Sequence, residues 1–201
     1  MELGARFLKE GLTKFHFSRD DYGRTLATFL DNAQTSISIV SISLKITHEE
    51  GRLTDLFRKK LAQNENFVVK ISLLNPNNDS LVEIAADTLN VSPKKLREEI
   101  ADMLKALLDC QEQLMKSERE RFIILVHNCF PMGSVLMLDT TPTGGMIQVE
   151  TKLYKSPRNE SFGFQLTKDG QFFTRHYTAW QKIFQDSKPF GKDDLIKRKG
   201  A

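Results

Sequence analysis

The stretch Thr35-Ser36-Ile37-Ser38-Ile39-Val40-Ser41-Ile42-Ser43-Leu44 decides the fold, because its period is close to two. Ile37, Ile39, Val40, Ile42 and Leu44 alternate with serines at 36, 38, 41 and 43, which predicts a β-strand with a polar side made of small hydroxyls. Before it, from Asp20 to Ala33, the residues Tyr22, Leu26, Phe29 and Leu30 fall on one helical stripe. After it, Leu53, Leu56, Phe57 and Leu61 make a second amphipathic helix, and Phe67 to Leu74 make an apolar strand interrupted by Lys70 and Ser72. Strand, helix and strand in this order form a βαβ unit, with the two strands parallel in a sheet covered on both faces. The serines are expected where helices pack closely against the sheet, rather than facing a ligand.

Working outward, the second strand leaves through Asn75-Pro76-Asn77-Asn78-Asp79-Ser80, a polar turn at a carboxyl end, where open α/β sheets bind their ligands. A helical segment follows at about 80–120. Ser92-Pro93 is a hydroxyl cap followed by a first-turn proline, and Leu96, Ile100, Met103, Leu104, Leu107, Leu108 and Leu114 then repeat at helical spacing. Arg121 to Val126 returns to strand. Ser134 to Asp139 and Met146 to Tyr154 are the arms of a hairpin around Thr140-Thr141-Pro142-Thr143-Gly144-Gly145, and Phe162 to Leu166 is one more short strand. Phe172, Phe173, His176, Tyr177, Trp180, Ile183 and Phe184 form the apolar side of a terminal helix. The predicted class is α/β, a mixed sheet flanked by helices, with residues 1–187 as a single domain and 188–201 as a flexible basic tail.

Composition narrows the function classes. The 201 residues carry 29 Lys plus Arg against 26 Asp plus Glu, a net charge of +3, and are 40% hydrophobic with 14 Phe. A disordered chain does not reach that apolar content, and a dedicated nucleic-acid binder concentrates more positive charge. Cys110 and Cys129 read as idle reduced thiols, and no apolar run approaches the length of a membrane span, so a soluble, cytoplasmic protein is expected. Phosphate-cradling glycine phrases are absent: Gly144-Gly145 is an isolated hairpin pair. His127-x-Cys129 is half of a metal site with the other half missing, so no metal and no cofactor are expected.

The order of elements resembles the phospholipase D-like superfamily over residues 20 to 155. Phe29-Leu30-Asp31-Asn32-Ala33-Gln34-Thr35-Ser36-Ile37 is similar to the family's opening phrase, and Leu56 to Leu74 to its next helix and strand. Active members carry H-x-K-x4-D, where the His attacks the phosphodiester, the Lys holds the phosphate and the Asp supports the site. Counting back from Asp139 places Ser134 at the lysine position and Met132 at the histidine position; the register from His127 puts Cys129 at the lysine and Ser134 at the aspartate. The family's later Gly, Ser and Asn phrase is replaced by Val149-Glu150-Thr151-Lys152. Methionine and serine supply neither a nucleophilic imidazole nor a cation for the phosphoryl oxygens. The resemblance therefore implies a single-copy domain with a degenerate active site, serving as a regulatory module that binds a ligand or a partner protein. It also implies a homodimer, since active single-copy members pair two copies.

Two further readings stand beside this one. In the enzyme reading, a phosphodiesterase or nuclease uses a divergent site around His127 and Asp139. In the assembly reading, the long helix near 92 to 119 presents an apolar dimer face. The expected ligand site gathers Asn75, Asn77, His127, Ser134 and Asp139 at strand exits and hairpin ends, with Arg121, Tyr154 and Lys155, and also Lys152, Arg158 and Arg175, supplying charge for a small anionic ligand. Basic and aromatic residues interleave between 150 and 185, a composition that also suits single-stranded nucleic acid; helical spacing makes core packing the favoured explanation.

Overall fold

The computed structural model describes residues 7–18, 25–44, 50–131, 133–156, 160–168 and 170–196. In chain order the strands are β1 (Leu12–His16), β2 (Ser36–Ser41), β3 (Val68–Leu74), β4 (Phe122–His127), β5 (Gly133–Thr141), β6 (Gly144–Thr151), β7 (Gly163–Thr167) and β8 (Lys188–Pro189). The helices are α1 (Leu26–Leu30), α2 (Glu50–Gln63), α3 (Asp79–Thr88), α4 (Pro93–Glu112), α5 (Lys116–Arg119), α6 (Gln171–Asp186) and α7 (Lys192–Ile196). The strands form one mixed sheet in the order β1-β7-β6-β5-β2-β3-β4-β8. β2, β3 and β4 are parallel, and β5 joins β2 antiparallel, with Ile37 opposite Leu138 and Val40 opposite Val135.

Alternation along the strands divides the molecule into two cores. Ile37, Ile39, Ile71, Leu73, Phe122, Ile124, Leu136 and Leu138 point to one face, where they pack with Phe29 and Leu30 of α1, Phe57 and Leu61 of α2, and the apolar stripes of α3 and α4. Val40, Leu125, Val135, Met137, Ile147, Val149 and Leu166 point to the other, against Phe173, Trp180 and Phe184 of α6. The larger core is aromatic at its centre, with the rings of Phe57 and Phe122 at 5.8 Å. Burying such a ring is worth about 2 to 3 kcal/mol.

The α4 start is built as its sequence dictates: the Ser92 hydroxyl accepts from Lys95 N at 3.2 Å, and Pro93 opens the first turn. Its stripe of Leu96, Ile100, Met103, Leu104, Leu107 and Leu108 is buried in the chain's own core. The apolar dimer face expected of this helix is therefore already occupied. The predicted helix from Asp20 is described from Thr25 on, whose hydroxyl accepts from Thr28 N and caps α1; residues 20–24, including Tyr22, lie outside the described residues.

The tail expectation is corrected, β1 is an element the sequence periods do not announce, and the serines divide between two environments. β1 carries no two-residue apolar alternation, and it forms by antiparallel pairing with β7 at the sheet edge. The segment after Ser187 is not loose through residue 196, since Lys188–Pro189 pairs with β4 and Phe190 is buried in the larger core. Of the serines in β2, Ser36 and Ser38 lie half-buried on the α6 side, whereas Ser41 and Ser43 are buried at the carboxyl end of the strand. Among the described residues no helix is long and apolar enough to cross a membrane.

Candidate functional site

The carboxyl ends of β2, β3 and β4 open onto a polar edge whose side chains are bonded mainly to one another. Asn128 Oδ1 accepts from Asn75 Nδ2 at 2.9 Å and from Asn78 Nδ2 at 3.2 Å, and Asn75 Oδ1 accepts from Asn77 N at 3.0 Å. Asn78 also caps α3 by accepting from Leu81 N. Arg97 of α4 fastens the same turn, donating to the Pro76 carbonyl and pairing with Asp79. The asparagines thus close a turn by local bonds, the usual work of Asn in such a stretch.

His127 ends β4 beside this turn but faces the α6 side of the sheet, where it is 1% exposed. Its Nδ1 lies 3.0 Å from Ser72 Oγ, Ser72 Oγ lies 2.8 Å from Ser187 Oγ, and Ser187 donates to the Ile183 carbonyl at 2.6 Å. The single proton on each hydroxyl fixes the direction: Ser187 gives its proton to the carbonyl, Ser72 gives its own to Ser187, and Nδ1–H donates to Ser72. That leaves Nε2 as a buried acceptor without a hydrogen-bond partner among the described residues. Burial pushes the imidazole down to about 4, so it is neutral at physiological pH.

Ser134 opens β5 on the opposite face of the sheet from His127. Its hydroxyl is 2.9 Å from Ser41 Oγ, which also accepts from Leu44 N at 3.2 Å. Directly across the ladder from Ser134 stands Glu150, whose carboxylate pairs with Lys152, both side chains largely buried. The loop after β6 then crosses to the end of α3. There Tyr154 Oη donates to Asp87 at 2.9 Å, Lys155 Nζ pairs with Asp87 at 2.9 Å, and Lys155 N donates to the Thr88 carbonyl at 2.8 Å. Hydrogen bonds from Lys155 and Tyr154 hold the Asp87 carboxyl below its usual range.

The remaining two expected residues are at the other end of the sheet. Asp139 takes its place beside the start of β2, where its carboxylate accepts from Gln34 N, Thr35 N and Ser36 N at 2.6 to 3.0 Å and from Thr35 Oγ1 at 3.0 Å. Burial raises its pKa, but the three backbone donors and the hydroxyl outweigh it and hold the group below the usual value. Arg121 precedes β4 and donates to the carbonyls of Ser117, Leu61, Asn64 and Phe67, which closes the carboxyl end of α2. Six strand steps separate the level of Ser36 and Val68 from that of Leu74 and His127. At about 3.3 Å per residue this is about 20 Å, so His127 and Asp139 do not meet on one phosphate.

Of the expected site residues, then, Asn75, Asn77, Ser134, Tyr154 and Lys155 share the carboxyl edge, His127 is turned away beneath α6, and Asp139 and Arg121 are remote. Of the expected cations, Lys152 is paired with Glu150, Lys155 with Asp87 and Arg121 with backbone carbonyls; Arg97, which the sequence did not single out, is paired with Asp79. Arg175 is exposed on α6, and Arg158 and Met132 lie outside the described residues. The sequence reading passed over Asn78, Asn128, Ser41 and the ion-paired Glu150. Their signal was register, since each stands opposite or beside a residue that was chosen.

No family model matches the chain. No curated protein matches it either. Among solved structures it is similar to Nuc from Salmonella typhimurium, a phospholipase D family member, at 14% identity and a TM-score of 0.43, over 82% of this chain and 87% of that one. NucT from Helicobacter pylori is similar at 11% identity and a TM-score of 0.48, over 88% of this chain and 100% of that one. TrmBL2, an archaeal chromatin protein, is similar at 13% identity and a TM-score of 0.45, over 94% of this chain and 58% of that one. Similarities of this size assign no activity to the chain.

Proposed function

We propose that this chain is a phospholipase D-like α/β module that does not cleave phosphodiesters, and that it acts as a regulatory domain holding a ligand or a partner protein at the carboxyl edge of its parallel strands. One observation carries the reading: the position that the family phrase gives to lysine is Ser134, buried, bonded to Ser41 and facing a carboxylate across the ladder. A phosphoryl group needs cations aimed at its oxygens. Here Arg97, Lys152 and Lys155 are each answered by a carboxylate, and a phosphate held by them would have to break those pairs. The surface on offer is the hydrogen-bonding turn Asn75–Asn78 with Asn128, suited to a polar, uncharged group.

The test is hydrolysis by pure full-length protein of bis(p-nitrophenyl) phosphate and of labelled single- and double-stranded DNA. The expected result is no turnover above buffer. Turnover that is retained through purification and lost in His127→Ala, with the fold intact by circular dichroism, overturns the proposal in favour of a divergent phosphodiesterase.

A further inference from the structure

The far edge of the sheet is unlike the carboxyl edge. β1 is the terminal strand, with Phe15 in register with Phe164 of β7. The Phe15 ring is 5.1 Å from Phe17 and stacks on Phe162 at 5.7 Å, while Phe164 stacks on Phe172 at 6.0 Å and meets the His176 ring edge-on at 5.4 Å. These rings form one strip running from the end of β1 across β7 to the first two turns of α6. The strip is open to water: Phe17 is 81% exposed, Phe15 45% and Phe172 38%. Helical spacing assigned Phe172 and His176 to the buried side of α6; Phe173, Trp180 and Phe184 take that side, and Phe172 stands outside it.

Lys9, Lys168 and Arg175 are exposed at this corner, and none of them pairs with a carboxylate of a described residue; Lys14, in register with Gln165, points to the opposite face of the sheet from Phe15. Among the described residues of 7–18 and 160–177 the acids are Glu10 and Glu160, so cations are in excess at this corner. Arg175 stands three residues after Phe172 on α6, on the same side of the helix.

We propose that single-stranded nucleic acid binds along this strip, its bases stacked on Phe17, Phe15 and Phe172 and its phosphates met by Lys168 and Arg175. Base–aromatic stacking accepts any sequence, and a row of rings beside cations is the arrangement it uses. The charge pattern decides against two other occupants. A second copy pairing antiparallel through the β1 edge would set Lys14 near its own equivalent, and lysine on an edge strand opposes such pairing. A bilayer needs a continuous apolar face, and Thr13, Gln171 and Thr174, all exposed, interrupt this one. The surface is separate from the carboxyl edge, so the proposal stands or falls independently of the function proposed there.

Fluorescence anisotropy with a labelled thymidine oligonucleotide of about 16 nucleotides, and with a duplex of equal length, tests it on the full chain. The expected result is binding of the single strand in preference to the duplex. Phe17→Ala and Phe172→Ala each weaken it about tenfold with an unchanged melting temperature, and Arg175→Ala reduces the log–log salt slope by about 0.7. Four results overturn the proposal: no single-strand binding up to about 100 µM at low salt; equal binding of the duplex that ignores Phe17→Ala; co-sedimentation with phosphatidylserine vesicles without oligonucleotide binding; or dimerisation lost in Phe17→Ala without oligonucleotide binding.

Discussion

Strand β5 places Ser134 at one end and Asp139 at the other, and the two ends differ in what they ask of a side chain. At the amino edge, one carboxylate gathers three backbone N–H groups and a hydroxyl from the entry to β2, although this holds Asp139 at φ 52. At the carboxyl edge, Ser134 makes one hydroxyl contact with Ser41. The acidic end is required by architecture, because without it the first residues of a central strand lose their acceptor. The other end is where the resembled family keeps its chemistry, and it can change without disturbing the sheet. On the reading proposed above, this is why Asp139 alone remains of the phrase.

The contrast is most strongly tested at Asp139. Asp139→Ala leaves three backbone donors to find other acceptors, and a loss of about 3 kcal/mol in urea unfolding is expected. An unchanged urea midpoint would show that the amino edge is not held this way. Next comes pH. His127 titrates near 6.5 when unfolded and near 4 when folded, so between these values the unfolded chain binds more protons. Stability is therefore full above pH 6.5 and falls as pH drops toward 4, by up to about 3 kcal/mol; His176, also pushed down by burial, acts in the same direction. In His127→Phe that slope shrinks, as melting temperatures across the range would show, and an unaltered slope would place the titration elsewhere.

Smaller effects sharpen the difference. Ser134→Ala removes one hydroxyl contact from Ser41 and is expected to cost about 1 kcal/mol by calorimetry, well short of the Asp139 variant. A larger loss from Ser134→Ala than from Asp139→Ala would reverse the assignment of the two ends. Phe17→Ala lies at the exposed corner and is expected to stay within about 0.5 kcal/mol of the parent in the same scan.

Much of the fold was legible because it obeys local periods. Ile37 to Leu44, Phe67 to Leu74 and the stripe from Leu96 carry their burial in their spacing; the last two became the elements they predict, and the first did so as far as Ser41, where β2 ends. The candidate site was legible only in part. Which end of the sheet a residue occupies depends on strand direction: β5 runs antiparallel to β2, and that reversal carried Asp139 away from His127. Which face it occupies depends on a register of one residue, and His127 and Ser134 fall on opposite sides for that reason. β1 was illegible because pairing with β7, rather than its own pattern, makes Leu12–His16 a strand.

Gly133 stands between the two positions that the family phrase would fill with histidine and lysine, and a Cβ built on it would overlap the carbonyl oxygen of Glu150 on the neighbouring strand. Any side chain at 133 would therefore push β6 away from β5 at the level of Glu150 and Thr151, and only glycine lets the two backbones approach this closely. For a protein engineer, position 133 is a fixed point of the hairpin: changes to the carboxyl edge belong at Ser134 and its neighbours, with the glycine kept.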